Sequence, residues 1–237
     1  MGKNRKEFIV KRNRCKKIAA ALLCMVMGCT TLGQGFSAAA ADATTSEEEV
    51  EINFAKALQM SLYFYDANKC GSGITGGNLE WRGDCHTEDA AVPLKPMGED
   101  YKGTNLSQEF IDAHRDILDP DGDGTIDVAG GMHDAGDHVK FCLPGSYAAS
   151  TLGWGYYEFR DAYVDSGQQW HIEDILHWFN DYYLKCTYFD ENGDILAFCY
   201  QVGEGDIDHN YWNAPELQNE SLLDFARPAY FATVETP

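Results

Sequence analysis

The sequence predicts an all-α domain in which long loops carry the function. Three segments repeat apolar residues at the spacing of one helix face, which favours a helical framework. About seventy residues rich in Gly, Asp and Pro separate the first two helical segments, and a connection of that length is rarely idle in a compact domain. Because loops on a rigid framework commonly hold binding and catalytic groups, we expect the site in this connection.

The predicted helices span residues 53–68, about 145–163 and about 170–185. In the first, Phe54, Leu58 and Leu62 lie on one face, as helical periodicity requires. After the third helix, the segment TYFDENGDILAF predicts a β-hairpin with Asn192-Gly193 at its tip. We found no internal repeat.

The charge of the chain is distributed unevenly. The 237 residues contain 18 Lys and Arg against 38 Asp and Glu, a formal net charge of −20. Eight of the basic residues lie in 1–41 with a single Glu, so residues 42–237 carry ten basic and 37 acidic residues, a net charge of −27. A surface this acidic excludes a nucleic-acid partner, because binding to phosphates requires basic residues.

The first 41 residues are typical of a secretory signal peptide. A basic stretch precedes the apolar segment 18–27, which is too short to span a bilayer, and alanines at 38–41 provide a cleavage site. We therefore expect a secreted, extracellular protein whose mature domain covers 42–237, with no membrane association once the signal is removed. Lipid attachment at Cys29 is the alternative, although Met27 fits a lipoprotein motif badly.

Two carboxylates at the end of the long loop, Asp134 and Asp137, are candidate catalytic groups. They bracket Ala-Gly just before the second helix, and a tight turn would point both into one cavity. A hydrolase needs such a pair to hold and deprotonate a water molecule. The alternative is a structural turn or cap, which D-x-x-D also forms commonly.

The surrounding segment, GGMHDAGDHVKFCLP, resembles the signature of the family 9 glycoside hydrolases, which are inverting cellulases. FAKALQMSLYFYDANKCG resembles the opening helix of that family, LEWRGDCH its first loop on the substrate side, and YQVGEGDIDHNYW and ARPAYFATVETP later segments. The resemblance runs from about residue 53 to 237. It implies an (α/α)6 barrel of twelve helices, of which this chain would contain the opening helices and loops.

The resemblance also implies roles for individual residues. Asp137 corresponds to the general base that deprotonates the attacking water, and Asp134 helps to orient that water. His209 and Trp212 match substrate-binding residues of the cleft, although packing in the core is the alternative for a Trp, and Arg82 would support a nearby loop. The catalytic acid, a Glu in the family, is expected beyond Pro237, so this stretch alone should be inactive.

A second group of residues has the composition of a metal site. Cys70, Cys85, His86 and His133 provide the two thiolates and two imidazoles of a tetrahedral zinc site. Similar residues form a structural zinc site in a subset of family 9 cellulases. A disulfide between Cys70 and Cys85 is the alternative, which export would permit.

Two further patterns leave alternatives open. The loop that begins at Asp119 matches nine positions of a calcium-binding loop but has Gly130 where the twelfth position requires Glu, so it is either a calcium site or an Asp/Gly-rich turn. The better-known calcium site of the family would lie after Pro237. Cys186 and Cys199 flank the predicted hairpin and are either paired or free.

The export signal and the resemblance to family 9 together imply a secreted inverting β-1,4-glucanase that hydrolyses cellulose-type polysaccharides or oligosaccharides, most simply an endoglucanase. The alternatives are a cellobiohydrolase or xyloglucanase with the same fold, and a non-hydrolytic glucan-binding module that uses Trp212. A cellulosome scaffold would be a further partner if a dockerin follows.

Overall fold

The computed structural model describes residues 52–218 and 226–236. The predicted signal peptide and its boundary lie outside these ranges. The helices are α1 (Phe54–Asn68), α2 (Gln108–Ala113), α3 (Arg115–Leu118), α4 (Cys142–Glu158), α5 (Arg160–Asp165), α6 (Gln169–Lys185) and α7 (Gly205–Asp208), with 3-10 turns at Thr87–Ala91 and Pro215–Leu217. The strands are β1 (Val92–Pro93), β2 (Thr125–Ile126), β3 (Lys140–Phe141), β4 (Thr187–Phe189), β5 (Ile195–Val202) and β6 (Ala229–Thr233).

The three predicted helices are confirmed as α1, α4 and α6. They share an apolar core formed by Leu62, Met132, Tyr163, Ile172, Ile175 and Phe179. Helix α4 begins three residues before the predicted start. The helix is interrupted at Phe159, after which the chain continues as α5. The early start is possible because Pro144 lies in the first turn of α4, where a missing N–H interrupts no helical hydrogen bond.

The predicted hairpin is also confirmed, but it belongs to a larger sheet. Strand β5 pairs with β4 and β3 along one edge and with β6 along the other, and every pairing is antiparallel. Because β3 directly follows the DAGD turn and β5 leads into α7, the Lys140–Val202 pairing brings the DAGD turn close to His209.

A buried ion cluster lies behind this sheet edge. Asp89 is fully buried and accepts hydrogen bonds from Arg227 at Oδ1 (2.7 Å) and Oδ2 (3.1 Å), while Lys140 Nζ lies 2.9 Å from Oδ2. Burial alone would raise the pKa of Asp89, but the charges of Arg227 and Lys140 hold it well below its usual range. The Lys140 ammonium also donates to the carbonyl of Val128, so the cluster fixes both ends of the loop that carries the DAGD turn.

Helix α4 has a second apolar face that is exposed. Leu143, Tyr147, Trp154 and Tyr157 are all largely accessible to solvent, whereas Cys142 is the fully buried residue of this helix. Within 52–218 and 226–236, the helices are too short or too polar to cross a bilayer.

Candidate active site and metal centre

The DAGD turn is tight because its own backbone closes it. The Asp134 amide donates to the carbonyl of Val139 at 2.9 Å, and the Ala135 amide donates to Asp137 Oδ1 at 3.1 Å. Just before the turn, Gly131 has a φ of 76°, and a Cβ at this position would lie 2.7 Å from the ring of Tyr182. The chain can therefore pass this close to α6 only with glycine at 131.

Asp137 is hydrogen-bonded to a histidine from a distant segment. His209 Nε2 lies 2.9 Å from Asp137 Oδ2, and the side chain of Asp137 is mostly buried while that of His209 is about half exposed. The hydrogen bond to Asp137 raises the pKa of His209, which favours the imidazolium. The sequence analysis gave His209 a contact with sugar; the structure adds its contact with the carboxylate.

Asp134 is the more exposed carboxylate of the pair. Partial burial and the nearby charge of Asp137 raise its pKa, whereas His209 acts in the opposite direction. The charge of Asp137 is close enough to affect Asp134, so the two carboxylates occupy the same polar site. A cavity of about 220 Å³ opens beside Asp134, and Phe64, Phe141 and Met132 line it.

Trp212 lies over the turn instead of in the core. Its side chain is 83% exposed, and its ring comes within 3.7 Å of the position that a Cβ would take at Gly136. The alternative of core packing is therefore wrong for this residue. An exposed indole face beside two carboxylates is the arrangement that stacks against a sugar ring.

The four predicted zinc ligands come together in one buried cluster. One ligand atom from each of Cys70, Cys85, His86 and His133 lies within 4.8 Å of the others. His133 Nε2 is 3.2 Å and Cys70 Sγ is 3.7 Å from His86 Nδ1. A tetrahedron with zinc bond lengths has edges of about 3.3 Å between two nitrogens and about 3.6 Å between nitrogen and sulfur, so the spacing fits zinc.

Backbone pairing explains why these residues meet. The Cys70 amide donates to the carbonyl of Gly131, the His133 amide donates to that of Asn68, and Gly71 pairs with Cys85 in both directions.

Cys70 and Cys85 are free thiols in the structure. A hydrogen bond with Cys70 lowers the pKa of Cys85 despite burial, and burial lowers that of His133. Both shifts favour the protonation states that bind metal.

Arg82 is buried beside this cluster and holds its loop. Its guanidinium donates to the carbonyls of Ala67 and Lys69, to Cys85 Sγ at 3.5 Å and to Glu216 Oε1 at 2.7 Å. Burial raises the pKa of Glu216, but hydrogen bonds from Arg82 and Gly83 outweigh this effect and leave it below its usual value. Glu216 is thus an ionised partner of Arg82 and unsuited to donate a proton.

Gln218 connects the cluster of Cys70, Cys85, His86 and His133 with the candidate active site, and the sequence gave no signal for it. Its amide nitrogen donates to Asp208 Oδ2 at 3.0 Å, which turns Oε1 towards His86 Nε2 at 2.9 Å and towards His138 Nδ1. Because an amide oxygen only accepts, His86 must carry its proton on Nε2. The lone pair of His86 Nδ1 therefore faces Cys70 and His133.

The remaining cysteines lie in the core. Cys186 and Cys199 have buried free thiols, so the structure favours the unpaired alternative. A hydrogen bond of 2.9 Å joins the backbones of the two residues. Cys142 lies nearby with its thiol directed at the Cys199 carbonyl, and burial raises its pKa to about 12. At such a pKa this thiol is inert at neutral pH.

Comparisons with known proteins agree with this arrangement. The model of the family described as "Glycosyl hydrolase family 9" matches residues 54–237. Endoglucanase A of Bacillus pumilus is 31% identical over 189 residues, which cover 80% of this chain and 22% of that protein. The solved catalytic domain of Clostridium thermocellum CelT is 54% identical over 78% of this chain and 36% of its own, with a TM-score of 0.72.

Endoglucanase CelQ from Clostridium thermocellum, solved in complex with cellobiose and cellotriose, is 30% identical over 76% of this chain and 22% of its own, with a TM-score of 0.53. The chain thus spans between about a fifth and about a third of these relatives. Its solved relatives are (α/α)6 barrels, which confirms the expected fold class. The small sheet in this chain is an addition that the sequence analysis did not predict. The family match covers nearly all of the described residues, and we conclude that the chain belongs to glycosyl hydrolase family 9.

Proposed function

We propose that this chain is part of a secreted, inverting β-1,4-glucanase that hydrolyses cellulose-type glucans. The observation that carries the proposal is the pair of Asp137, held by His209, and the exposed Asp134 on one tight turn beneath Trp212. Endoglucanases among the relatives, and the complexes of CelQ with cellobiose and cellotriose, support a glucan as the substrate.

In this mechanism Asp137 is the general base. The two hydrogen bonds that its carboxylate accepts, from His209 and from the Ala135 amide, hold it in position to accept a proton from water. Asp134 lies on the same turn, and partial burial and the charge of Asp137 raise its pKa. The family resemblance supports Asp137 as the base and Asp134 as the residue that orients the water.

Inversion also requires an acid that protonates the leaving oxygen from the opposite face of the sugar. The two carboxyl groups of an inverting enzyme stand roughly 6.5–9.5 Å apart, which leaves room for the water. Glu216 is committed to Arg82, and Glu204 accepts a hydrogen bond from the Tyr230 hydroxyl. We propose that the acid is a Glu located beyond Pro237.

Trp212 and His209 are the proposed substrate-binding residues. The exposed indole would stack on a glucose ring directly over the turn, which places the scissile bond near the water held by Asp134 and Asp137. His209 would bond a sugar hydroxyl with its ring while holding the base.

We further propose that Cys70, Cys85, His86 and His133 bind a structural zinc ion. The tetrahedral spacing and the protonation states of the four side chains support this assignment. Zinc would supply folding free energy by joining three loop segments. Since His133 directly precedes Asp134, the four ligands also fix one end of the catalytic turn.

The gene product that contains these residues should be tested on carboxymethyl cellulose and on cellohexaose. Reducing ends should appear, the viscosity of the polymer should fall early, and proton NMR should show the α-anomer as the first product. A β-anomer would contradict inversion, and slow loss of viscosity would favour chain-end cleavage. Binding without new reducing ends would favour the glucan-binding module. Recovery of the protein from the culture medium, with a mature terminus near Asp42, would test secretion.

A further inference from the structure

A second oxygen-rich group lies in the loop between α3 and β2, away from the catalytic turn. One carboxylate oxygen from each of Asp119, Asp121 and Asp123 lies within 4.8 Å of the other two. These residues occupy the first, third and fifth positions of the pattern that the sequence analysis compared with a calcium loop. The folded chain therefore gathers the three carboxylates that this pattern requires at the start of the loop.

A buried oxygen of Asp119 is independent evidence for a ligand at these carboxylates. The residue is only 5% exposed, and its buried Oδ1 has no hydrogen-bond partner among residues 52–218 and 226–236. Its Oδ2 accepts a hydrogen bond from the Gly124 amide at 3.1 Å, and Arg115 is 3.7 Å away. A buried carboxylate oxygen without a partner is costly, and a bound cation would remove that cost.

The backbone of the loop also fits a calcium-binding loop. Gly124 stands at the sixth position with a φ of 81°, where a calcium loop turns sharply. Two positions later, Ile126 is buried and pairs with Val92 in a short antiparallel ladder, which anchors the loop to β1. Asp127 at the ninth position is instead paired with Lys185, so it is engaged outside the cluster.

We propose that Asp119, Asp121 and Asp123 bind one Ca²⁺ ion, whose remaining ligands are backbone oxygens and water. A site built only from oxygens suits a hard cation, and Ca²⁺ accepts irregular geometry more readily than Mg²⁺ does. Because no bidentate Glu completes the loop, the affinity belongs in the range of extracellular calcium modules, about 10⁻⁴–10⁻³ M. The ion fixes the loop between α3 and β2, which precedes the catalytic turn in the sequence.

The direct test is isothermal titration of the full chain with CaCl2, in buffer that contains equimolar zinc and no chelator. One saturable site is expected, and ~10 mM CaCl2 should raise the melting temperature by about 2–8 °C. Asp121→Asn and Asp123→Asn should each weaken binding at least about tenfold, because the charge of the ligands sets the affinity of such sites. The matched control is Asp116→Asn, which removes the same charge from an exposed position on α3 and should change nothing.

Terbium provides a second readout that depends on position. Tyr188 lines the same cavity as Asp121 and Asp123, so a Tb³⁺ ion in the site should emit on excitation of tyrosine. Added CaCl2 should quench this emission, and Tyr188→Phe should reduce it while leaving calcium titration intact. Absence of saturable calcium binding up to ~10 mM would overturn the proposal, as would equal losses in Asp121→Asn and Asp116→Asn. Neither outcome bears on the proposed glucanase activity, since none of these residues belongs to the catalytic turn.

Discussion

His209 Nε2 donates a hydrogen bond of 2.9 Å to Asp137 Oδ2, although the two residues are 72 positions apart in sequence. The proposed base is thus oriented by a residue from the loop after α7, and the two side chains form one unit. The β3–β5 pairing supplies the framework that keeps them together.

Replacing Asp137 by Asn should nearly abolish hydrolysis, because the amide keeps the shape of the side chain but cannot accept the proton. We expect kcat to fall by about 10²–10⁴-fold, the usual contribution of a general base, with binding of cellohexaose largely retained. Asp165→Asn, on the exposed surface of α5, is the control for loss of a charge. Normal turnover in Asp137→Asn together with a collapse in Asp134→Asn would reverse the roles of the two carboxylates.

The hydrogen bond to Asp137 should make His209 titrate at an unusually high pH. Since the folded pKa is raised above the ordinary value of about 6.5, the pair stabilises the fold fully below that pH and loses this contribution as pH rises through the folded pKa. The effect on stability should be small, because His209 is exposed. NMR titration of the His209 ring should report the raised pKa, and Asp137→Asn should return it towards about 6.5; an unchanged pKa in that variant would exclude the pairing as its cause.

Purified protein should contain about one zinc ion per chain, and Cys85→Ser should lower both the zinc content and the melting temperature. A closed structural site contributes folding free energy, so both losses have one origin. Activity should fall by about 10²-fold, because an error of about 1 Å in the catalytic turn has that effect. Cys142→Ser, which removes a buried thiol outside the cluster, should leave zinc unchanged. A mass spectrum with Cys70 linked to Cys85 would replace the zinc site by a disulfide.

Gln218→Leu should weaken zinc binding by about 10–100-fold without removing any ligand, since partners of metal-bound histidines have effects of this size. The leucine cannot accept the proton of His86 Nε2, so this ring loses the constraint that turns Nδ1 towards Cys70. Gln218→Glu keeps an acceptor and should retain more affinity than Gln218→Leu. Competition with a zinc chelator measures the difference, and equal affinities in the two variants would show that Gln218 only fills space.

Residues 42–237 expressed alone should be inactive on carboxymethyl cellulose and should aggregate. The apolar side chains of Leu143, Tyr147, Trp154 and Tyr157 form a solvent-facing surface on α4 that favours association. Size-exclusion chromatography and a reducing-sugar assay check both expectations. Clear hydrolysis by a monodisperse product would mean that the acid lies within this stretch, with Glu204 as the first residue to replace.

The local features of the fold were predictable, whereas the nonlocal ones were not. Helices α1 and α6 follow from a periodicity that a short segment contains in full, and the hairpin turn follows from Asn192-Gly193. The pairing of β3 and β6 with β5 joins segments far apart in sequence, and two-residue β3 has no pattern of its own.

The same distinction applies to the site. The family resemblance, together with residue types and spacing, predicted Asp134 and Asp137 as catalytic groups and the four cysteine and histidine residues as ligands. Gln218 is a common polar residue whose importance arises from contacts with His86 and Asp208. For Trp212, residue type alone favours core packing, whereas the resemblance predicted a position in the cleft, and the side chain is exposed in the structure.

The Asp89 cluster also sets an order of events during synthesis. Asp89 emerges from the ribosome well before Arg227, which is 138 positions later and supplies both hydrogen bonds to its carboxylate. Until Arg227 is available, burial of Asp89 leaves a carboxylate with Lys140 alone, so closure of this region is delayed to a late stage. The catalytic turn therefore gains its full support only after residue 227 has been synthesised.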